Sequence, residues 1–258
     1  MKKFFYLFII TCFLLLISSC ETTNKLVSEL TIISVNDFHG ALDESDGKYG
    51  VARLANSISA ETKNSEASIL VSAGDMFQGT ALSNYDHGKT VIDIMNKMKF
   101  DAMVIGNHEF DWGYEEIYKY VDGNDDNGEA TFPFLGCNII EKSTGQRPVG
   151  IDAYQIIKRG GLKIAIVGYM GEGNESDIAE AMIKDYEFAN PISYIKSTIS
   201  DLRINQGVDV VIVSGHEGNG SNQMLASLAG DERVDAIINA HTHSTYSCLL
   251  YTSPSPRD

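Results

Sequence analysis

Five short apolar runs in this 258-residue chain each stop at a loop that opens on side chains able to bind a metal ion. Residues 30–35 lead into Asn36-Asp37-Phe38-His39-Gly40, and residues 69–71 into a loop carrying Gly74-Asp75. Residues 102–105 lead into Gly106-Asn107-His108-Glu109, and residues 208–213 into Ser214-Gly215-His216-Glu217. The last run, 236–238, leads into Asn239-Ala240-His241-Thr242-His243. The runs are rich in Val and Ile and too short for helices, so they read as strands. Helical spacing appears between them. Val51, Leu54, Ala55 and Ile58 mark a helix over 49–62, and Val91, Ile94, Met95 and Met98 mark another over 90–99. Residues 114–121 and 192–205 also read as helices, and 132–140, 154–157 and 162–167 as further strands. Alternation of this kind, with uninterrupted apolar strands, predicts an α/β domain whose sheets are covered on both faces. No internal repeat is present.

One histidine after a strand is more often packed or exposed than a ligand. Here five of the six histidines lie in such loops, and only His87 lies elsewhere, in a polar stretch that predicts simple exposure. The small residues Gly40, Gly74, Gly106, Gly215 and Ala240 stand beside the polar ones, where glycine allows close backbone approach. The C-terminal ends of strands are where α/β sheets place ligands. Imidazole and carboxylate suit zinc, manganese, iron or cobalt, and the lack of cysteine ligands argues against a structural zinc site. Two divalent ions would bring a charge of about +4 against −2 from Asp37 and Asp75, a surplus suited to a phosphate dianion.

The segments NDFHG (36–40), GDMFQGT (74–80), GNHEFDWG (106–113), GHE (215–217) and AHTHS (240–244) strongly resemble the metallophosphoesterase, or calcineurin-like, domain of the periplasmic 5′-nucleotidase family. The likeness runs from residue 30 to residue 244. It implies a four-layer α-β-β-α sandwich of two mixed sheets. It implies a first metal held by Asp37, His39 and His243, a second held by Asn107, His216 and His241, and Asp75 bridging them. The family varies its last ligand between Gln and His, and here it is His243. His108 and Asp111 look like the catalytic dyad, with Asp111 orienting His108 beside the leaving oxygen. The implied reaction is hydrolysis of a nucleotide phosphate ester by metal-activated water, in line and without a covalent intermediate. Cyclic 2′,3′-nucleotides, nucleotide sugars and sulfur esters are alternative substrates on the same site. A non-catalytic surface binding protein is the alternative of a different class, disfavoured because every ligand position and the dyad are kept.

The rest of the sequence sets the context. Lys2 and Lys3 precede an apolar run over 4–17 that ends Ile17-Ser18-Ser19-Cys20. This resembles a lipoprotein leader over 1–20, with Cys20 lipidated and 21–29 as a tether, and predicts an exported protein anchored to the periplasmic or outer membrane surface. An ordinary signal peptide is the alternative. Residues 248–258, CLLYTSPSPRD, match the translation of a transposon-derived sequencing adaptor, the alternative being a Ser/Pro-rich tail. The expectation is therefore a metallophosphoesterase domain over 30–247, incomplete at its C-terminal end, without the separate domain that contacts the nucleoside in related nucleotidases. The net charge of −15 argues against a nucleic-acid duplex as partner and fits a soluble exported protein. Cys137 and Cys248 make no disulfide framework, and Cys137 reads as a small buried residue. Residues 168–173 have GxxGxG spacing rather than a dinucleotide fingerprint, and predict a connecting loop near the rim of the site. The acidic stretch 122–129 lacks the EF-hand spacing. Phe38, Phe77, Phe110 and Trp112 are expected to pack beneath the ligands, and Glu109 and Glu217 to orient ligating histidines.

Overall fold

A computed structural model describes residues 27–44 and 49–244. The expected leader with Cys20, most of the tether and the adaptor-like segment lie outside the described residues.

The buried strands alternate between two cores, and that alternation sets the layers. Strands β1 (Thr31–Ser34), β2 (Ser68–Ser72), β3 (Ala102–Val104), β4 (Phe134–Leu135) and β6 (Ile151–Asp152) form one sheet in the order β1-β2-β3-β4-β6. Every neighbouring pair in it is parallel. Strands β7 (Tyr154–Arg159), β8 (Leu162–Met170), β10 (Val210–His216) and β11 (Ala236–Asn239) form a second sheet in the order β11-β10-β8-β7. There β8, β10 and β11 are parallel, and β7 joins as an antiparallel hairpin. Gly160 and Gly161, both at positive φ, make the two-residue hairpin turn that suits the strand twist. Of the two mixed sheets expected, the second is mixed, whereas the first is parallel throughout among the described residues.

Side chains one step apart point to opposite faces. Ile69, Val71, Ala102, Val104 and Leu135 thus meet Ile164, Ile166 and Ile212 between the sheets. The intervening Leu70, Met103 and Ile105 face outward onto α1 (Val51–Asn64) and α3 (Lys89–Met98) through Ile58, Val91, Ile92 and Met95. On the far side, Ala165, Val167, Tyr169, Val211 and Val213 pack under Ile195, Ile199 and Leu202 of α6 (Pro191–Ile204) and Leu225 of α7 (Asn222–Ala226). The result is the expected α-β-β-α stack. Strands buried on both faces read as continuous apolar runs, which is why the sequence displays them so clearly. Helix α6 starts sharply because the Asn190 side chain accepts from the Ile192 amide and Pro191 takes the first turn. Three shorter helices, α2 (Ala81–Tyr85), α4 (Tyr114–Tyr118) and α5 (Glu180–Ile183), lie in the connections. No helix among the described residues is long and apolar enough to cross a membrane.

The run 132–140 is not one strand. Past β4, the Gly136 amide bonds to Asp152 O and the Cys137 amide crosses to Gly168 O in the other sheet, at 2.8 and 2.7 Å. The chain is pulled out of the first sheet there. It continues as β5 (Ile139–Glu141), which pairs antiparallel with β9 (Tyr186–Phe188). Cys137 is buried, as expected, and its thiol is pushed up to about 12 by desolvation.

Candidate metal centre

Strands β1, β2 and β3 of one sheet and β10 and β11 of the other deliver their C-terminal loops to one place. His216 Nε2, at the end of β10, stands 3.1 Å from Asp75 Oδ2, just beyond β2. Asn107, at the start of a short helical segment Asn107–Trp112 after β3, puts Oδ1 2.9 Å from His216 Nε2 and 3.1 Å from His241 Nδ1. His39 Nε2 is 3.1 Å from His243 Nε2 and 3.9 Å from Asp75 Oδ2. His243 Nε2 is 4.0 Å from Asp37 Oδ1, which also accepts the His241 amide at 2.8 Å. All seven expected ligand positions therefore come together, as two groups that meet at Asp75: Asp37, His39 and His243 on one side, Asn107, His216 and His241 on the other.

The backbone is bent sharply to do this. Among the described residues seven non-glycine residues have positive φ, and five of them are Asp37, His39, Asp75, His241 and His243. Left-handed backbone costs an L-residue roughly 1–2 kcal/mol, and such strain collects at functional sites. Two glycines make the close approach possible. A Cβ on Gly106 would lie 2.3 Å from Asp75 Oδ1, and one on Gly74 2.7 Å from His216 Nδ1.

Hydrogen bonds fix which ring atoms face inward. His216 Nδ1 is 2.8 Å from Ala73 O and His39 Nδ1 is 2.9 Å from Gln78 O. A carbonyl can only accept, so both Nδ1 atoms carry the proton and both neutral rings turn an Nε2 lone pair to the centre. The His216 lone pair then faces two acceptor oxygens, Asp75 Oδ2 and Asn107 Oδ1. Such an array is repulsive until a cation enters it. A proton has the same effect: although burial opposes the charged ring, the hydrogen bond and charge of Asp75 hold the His216 pKa above its ordinary value. Burial likewise works to raise the Asp75 pKa, but His216 and the His108 amide outweigh it and hold the carboxyl below the usual range. His241 is shifted down, by burial and by the charge of His216 beside it. The donor set therefore fits divalent metal.

His108 stands beside this group without joining the carbonyl-anchored rings. Its Nδ1 donates to Asp111 Oδ2 at 2.7 Å, its amide donates to Asp75 Oδ1 at 3.0 Å, and its ring meets that of His39 edge-on at 5.2 Å. The hydrogen bond to Asp111 raises its pKa to about 9, against the opposing effect of burial.

Several expectations change. Glu109 does not orient a histidine ring. Its carboxylate accepts the amides of Asp75, Met76, Phe77 and Gly106 at 2.8–3.2 Å, lashing two ligand loops together. Burial, with the Asp75 charge, pushes this carboxyl up to about 7, while the Gly106 and Asp75 amides pull it back. Glu217 accepts from Tyr169 Oη at 2.8 Å rather than from a histidine. His87 is not simply exposed: it stacks on Trp112, with centroids 4.8 Å apart, and bonds to Glu116 at 2.8 Å. Phe77 and Phe110 are buried and Phe38 and Trp112 pack against the same core, as expected. The loop after β8 does border the centre, since Gly171 N and Asn174 Nδ2 both donate to His216 O. Two residues escape the sequence reading. Asn36 accepts from Ala73 N at 2.9 Å and donates to Asn239 O at 3.3 Å, joining three ligand-bearing loops. Asp177 faces His241. The place of Asn36 beside Asp37 is a signal for it; nothing local marks Asp177.

Comparison with known proteins identifies the family. Residues 30–245 match the family described as calcineurin-like phosphoesterase. A snake venom 5′-nucleotidase from Naja atra is 31% identical over 240 residues, spanning 88% of this chain and 43% of that protein. A 5′-nucleotidase from Vibrio cholerae is 31% identical over 199 residues, 75% of this chain and 34% of the relative. Among solved structures, a 5′-nucleotidase precursor from Thermus thermophilus superposes with a TM-score of 0.72 at 24% identity, over 88% of this chain and 44% of that one. The chain belongs to the calcineurin-like metallophosphoesterase family, whose members use divalent metal ions. It spans less than half the length of these relatives.

Proposed function

We propose that this chain carries the metal-binding domain of an exported phosphoesterase that hydrolyses nucleotide phosphate esters with two divalent ions. The observation that carries the reading is the inward face of the centre. His216 Nε2 lies within 3.1 Å of both Asn107 Oδ1 and Asp75 Oδ2, with the His216 Nδ1 proton already committed to Ala73 O. Asp37, His39 and His243 would hold one ion, Asn107, His216 and His241 the other, and Asp75 both. Zinc, manganese, iron and cobalt all suit this mixture of imidazole, amide and carboxylate.

When bound, the two ions supply Lewis-acid polarisation of the phosphoryl group and activation of water. The protein does the rest. Asp111 holds His108 with its Nδ1 proton directed away from the centre, so that Nε2 is the atom left to act. The hydrogen bond to Asp111 favours the protonated ring, whose Nε2–H would be available to the leaving oxygen or to charge that develops on the phosphoryl oxygens. Glu109 keeps the Asp75 and Asn107 loops at a fixed separation while this happens. The relatives named for 5′-nucleotidase activity support a nucleotide as substrate. The basic and apolar segment before Cys20 supports export with a lipid anchor at that residue.

The test is a hydrolysis assay on the purified protein, stripped of metal and reloaded with Mn²⁺ or Zn²⁺. AMP, UDP-glucose, a 2′,3′-cyclic nucleotide, a sulfate ester and p-nitrophenyl phosphate are compared. Metal-dependent cleavage of p-nitrophenyl phosphate is expected, with AMP cleaved more slowly by this chain than by one that carries the nucleoside-contacting domain. A protein that binds two ions and cleaves none of these would contradict the proposal.

A further inference from the structure

The three buried or half-buried histidines at the centre do not enter it in the same way. His39 and His216 each tie Nδ1 to a backbone carbonyl and present Nε2. His241 is reversed. Its Nδ1 faces Asn107 Oδ1 at 3.1 Å, so its Nε2 points out of the centre. When a histidine gives one nitrogen to a metal, the other carries the proton, and that N–H is normally received by a carbonyl or carboxylate that sets the ring's orientation and basicity. For His39 and His216 the acceptor is part of the backbone. For His241 the group facing Nε2 is the carboxylate of Asp177, with Oδ2 3.6 Å away.

We propose that Asp177 is the positioning residue for His241, receiving its outward N–H and thereby tuning one of the two metal sites. This rests on the proposed two-metal reading. The separation is that of an ion pair rather than a formed hydrogen bond, but the side chain is about half exposed and has no other ion pair or hydrogen bond among the described residues. It is free to turn onto Nε2. The segment that carries it is itself fastened to the centre. Asp177 ends the short turn Asn174–Asp177, in which Asn174 Nδ2 donates to His216 O at 2.7 Å and Asn174 is buried. Gly171, at the start of the same loop, donates its amide to the same carbonyl at 3.0 Å. One loop thus holds the backbone of His216 and places a carboxylate over His241, both on the same side of Asp75. Behind His39 and His216 the Nδ1 partners are backbone carbonyls rather than carboxylates, so loss of Asp177 falls on one site and not on the other.

The test is calorimetric titration of Mn²⁺ into metal-free protein, for the unaltered chain and for Asp177→Ala, Asp177→Asn and Asp177→Glu. Outer-shell partners of metal-bound histidine are worth roughly 10–100-fold in affinity. Asp177→Ala is expected to weaken one ion about tenfold or more and leave the other unchanged. Asp177→Asn, which keeps an acceptor oxygen without the charge, should fall between, and Asp177→Glu should restore part of the loss. The thermal midpoint of the metal-free protein should not move, as it would if the residue merely supported the fold. If the unaltered chain binds two ions and Asp177→Ala binds both as tightly, the positioning role is wrong while the two-metal reading stands. If the unaltered chain does not bind two ions, the reading beneath it fails first.

Discussion

The two halves of the centre are built differently. Around Asn107 and His216 the side chains are buried, with His216 fully enclosed and Asp75 2% exposed. Their positions are set by strands in the middle of each sheet, by backbone carbonyls and by the four amides gathered on Glu109. In the other group Asp37 and His39 are also mostly covered, at 12% and 22%, and the open ligand position is His243, whose side chain is 60% exposed and comes from a loop past the last strand. The contrast teaches that, in the proposed two-ion arrangement, one site would be preorganised by the core while the other would be completed by a loop. Charges around enclosed His216 and Asp75 interact more strongly than those around exposed His243, and a ligand that is already in place loses less freedom on binding. The buried half should therefore bind the tighter ion, and Asp75 is the carboxylate that couples the two.

The largest effect should come from removing that coupling. Asp75→Asn is expected to disturb both ions and bring phosphate-ester hydrolysis to background, measured by metal analysis and an activity assay on the same sample. A fully loaded, active variant would remove Asp75 from the bridging role. Next in size is His108→Ala, which takes away a proton donor but no ligand. Turnover should fall roughly 10²–10⁴-fold with metal content unchanged; loss of metal would make His108 a ligand instead.

A smaller pair of effects separates the halves directly. His216→Ala leaves Asp75 buried without its partner and should cost the metal-free fold about 3–5 kcal/mol. His243→Ala, on the exposed loop, should change stability by no more than about 0.5 kcal/mol. Denaturant melts of the two variants side by side would show equal losses if the asymmetry were illusory. A further effect is in pH. The folded His108 pKa is raised from its ordinary 6.5 to about 9, first by the hydrogen bond to Asp111. Its contribution is fully present below pH 6.5 and fades as pH rises through about 9. The metal-free protein should melt a little earlier over that interval, and Asp111→Asn should flatten the trend.

The same contrast between core and loop governs what the sequence reveals. Runs such as 69–71 and 211–213 are legible because strands covered on both faces must be apolar at every position. The polar residues that follow them are legible because little else explains so many histidines at strand ends. The division of 132–140 is not, since it depends on Gly136 and Cys137 bonding to strands of different sheets, a tertiary choice with no local signature. The left-handed backbone at Asp37, His39 and Asp75 is only weakly signalled: Asp and His are enriched in that region, but unlike glycine they are far more often found outside it. Glu109 is visible in the sequence as a polar neighbour of His108, but only the fold brings four amides to its carboxylate.

The proposed arrangement comes down to a tight buried site and a weaker one completed by exposed His243, which would share Asp75. Titrating Mn²⁺ into the metal-free chain and into His243→Ala, followed by calorimetry, tests it directly. Two unequal ions are predicted in the unaltered chain, with the weaker one lost and the tighter one kept in the variant. A single ion in the unaltered chain, or loss of the tighter ion when His243 is removed, would contradict it.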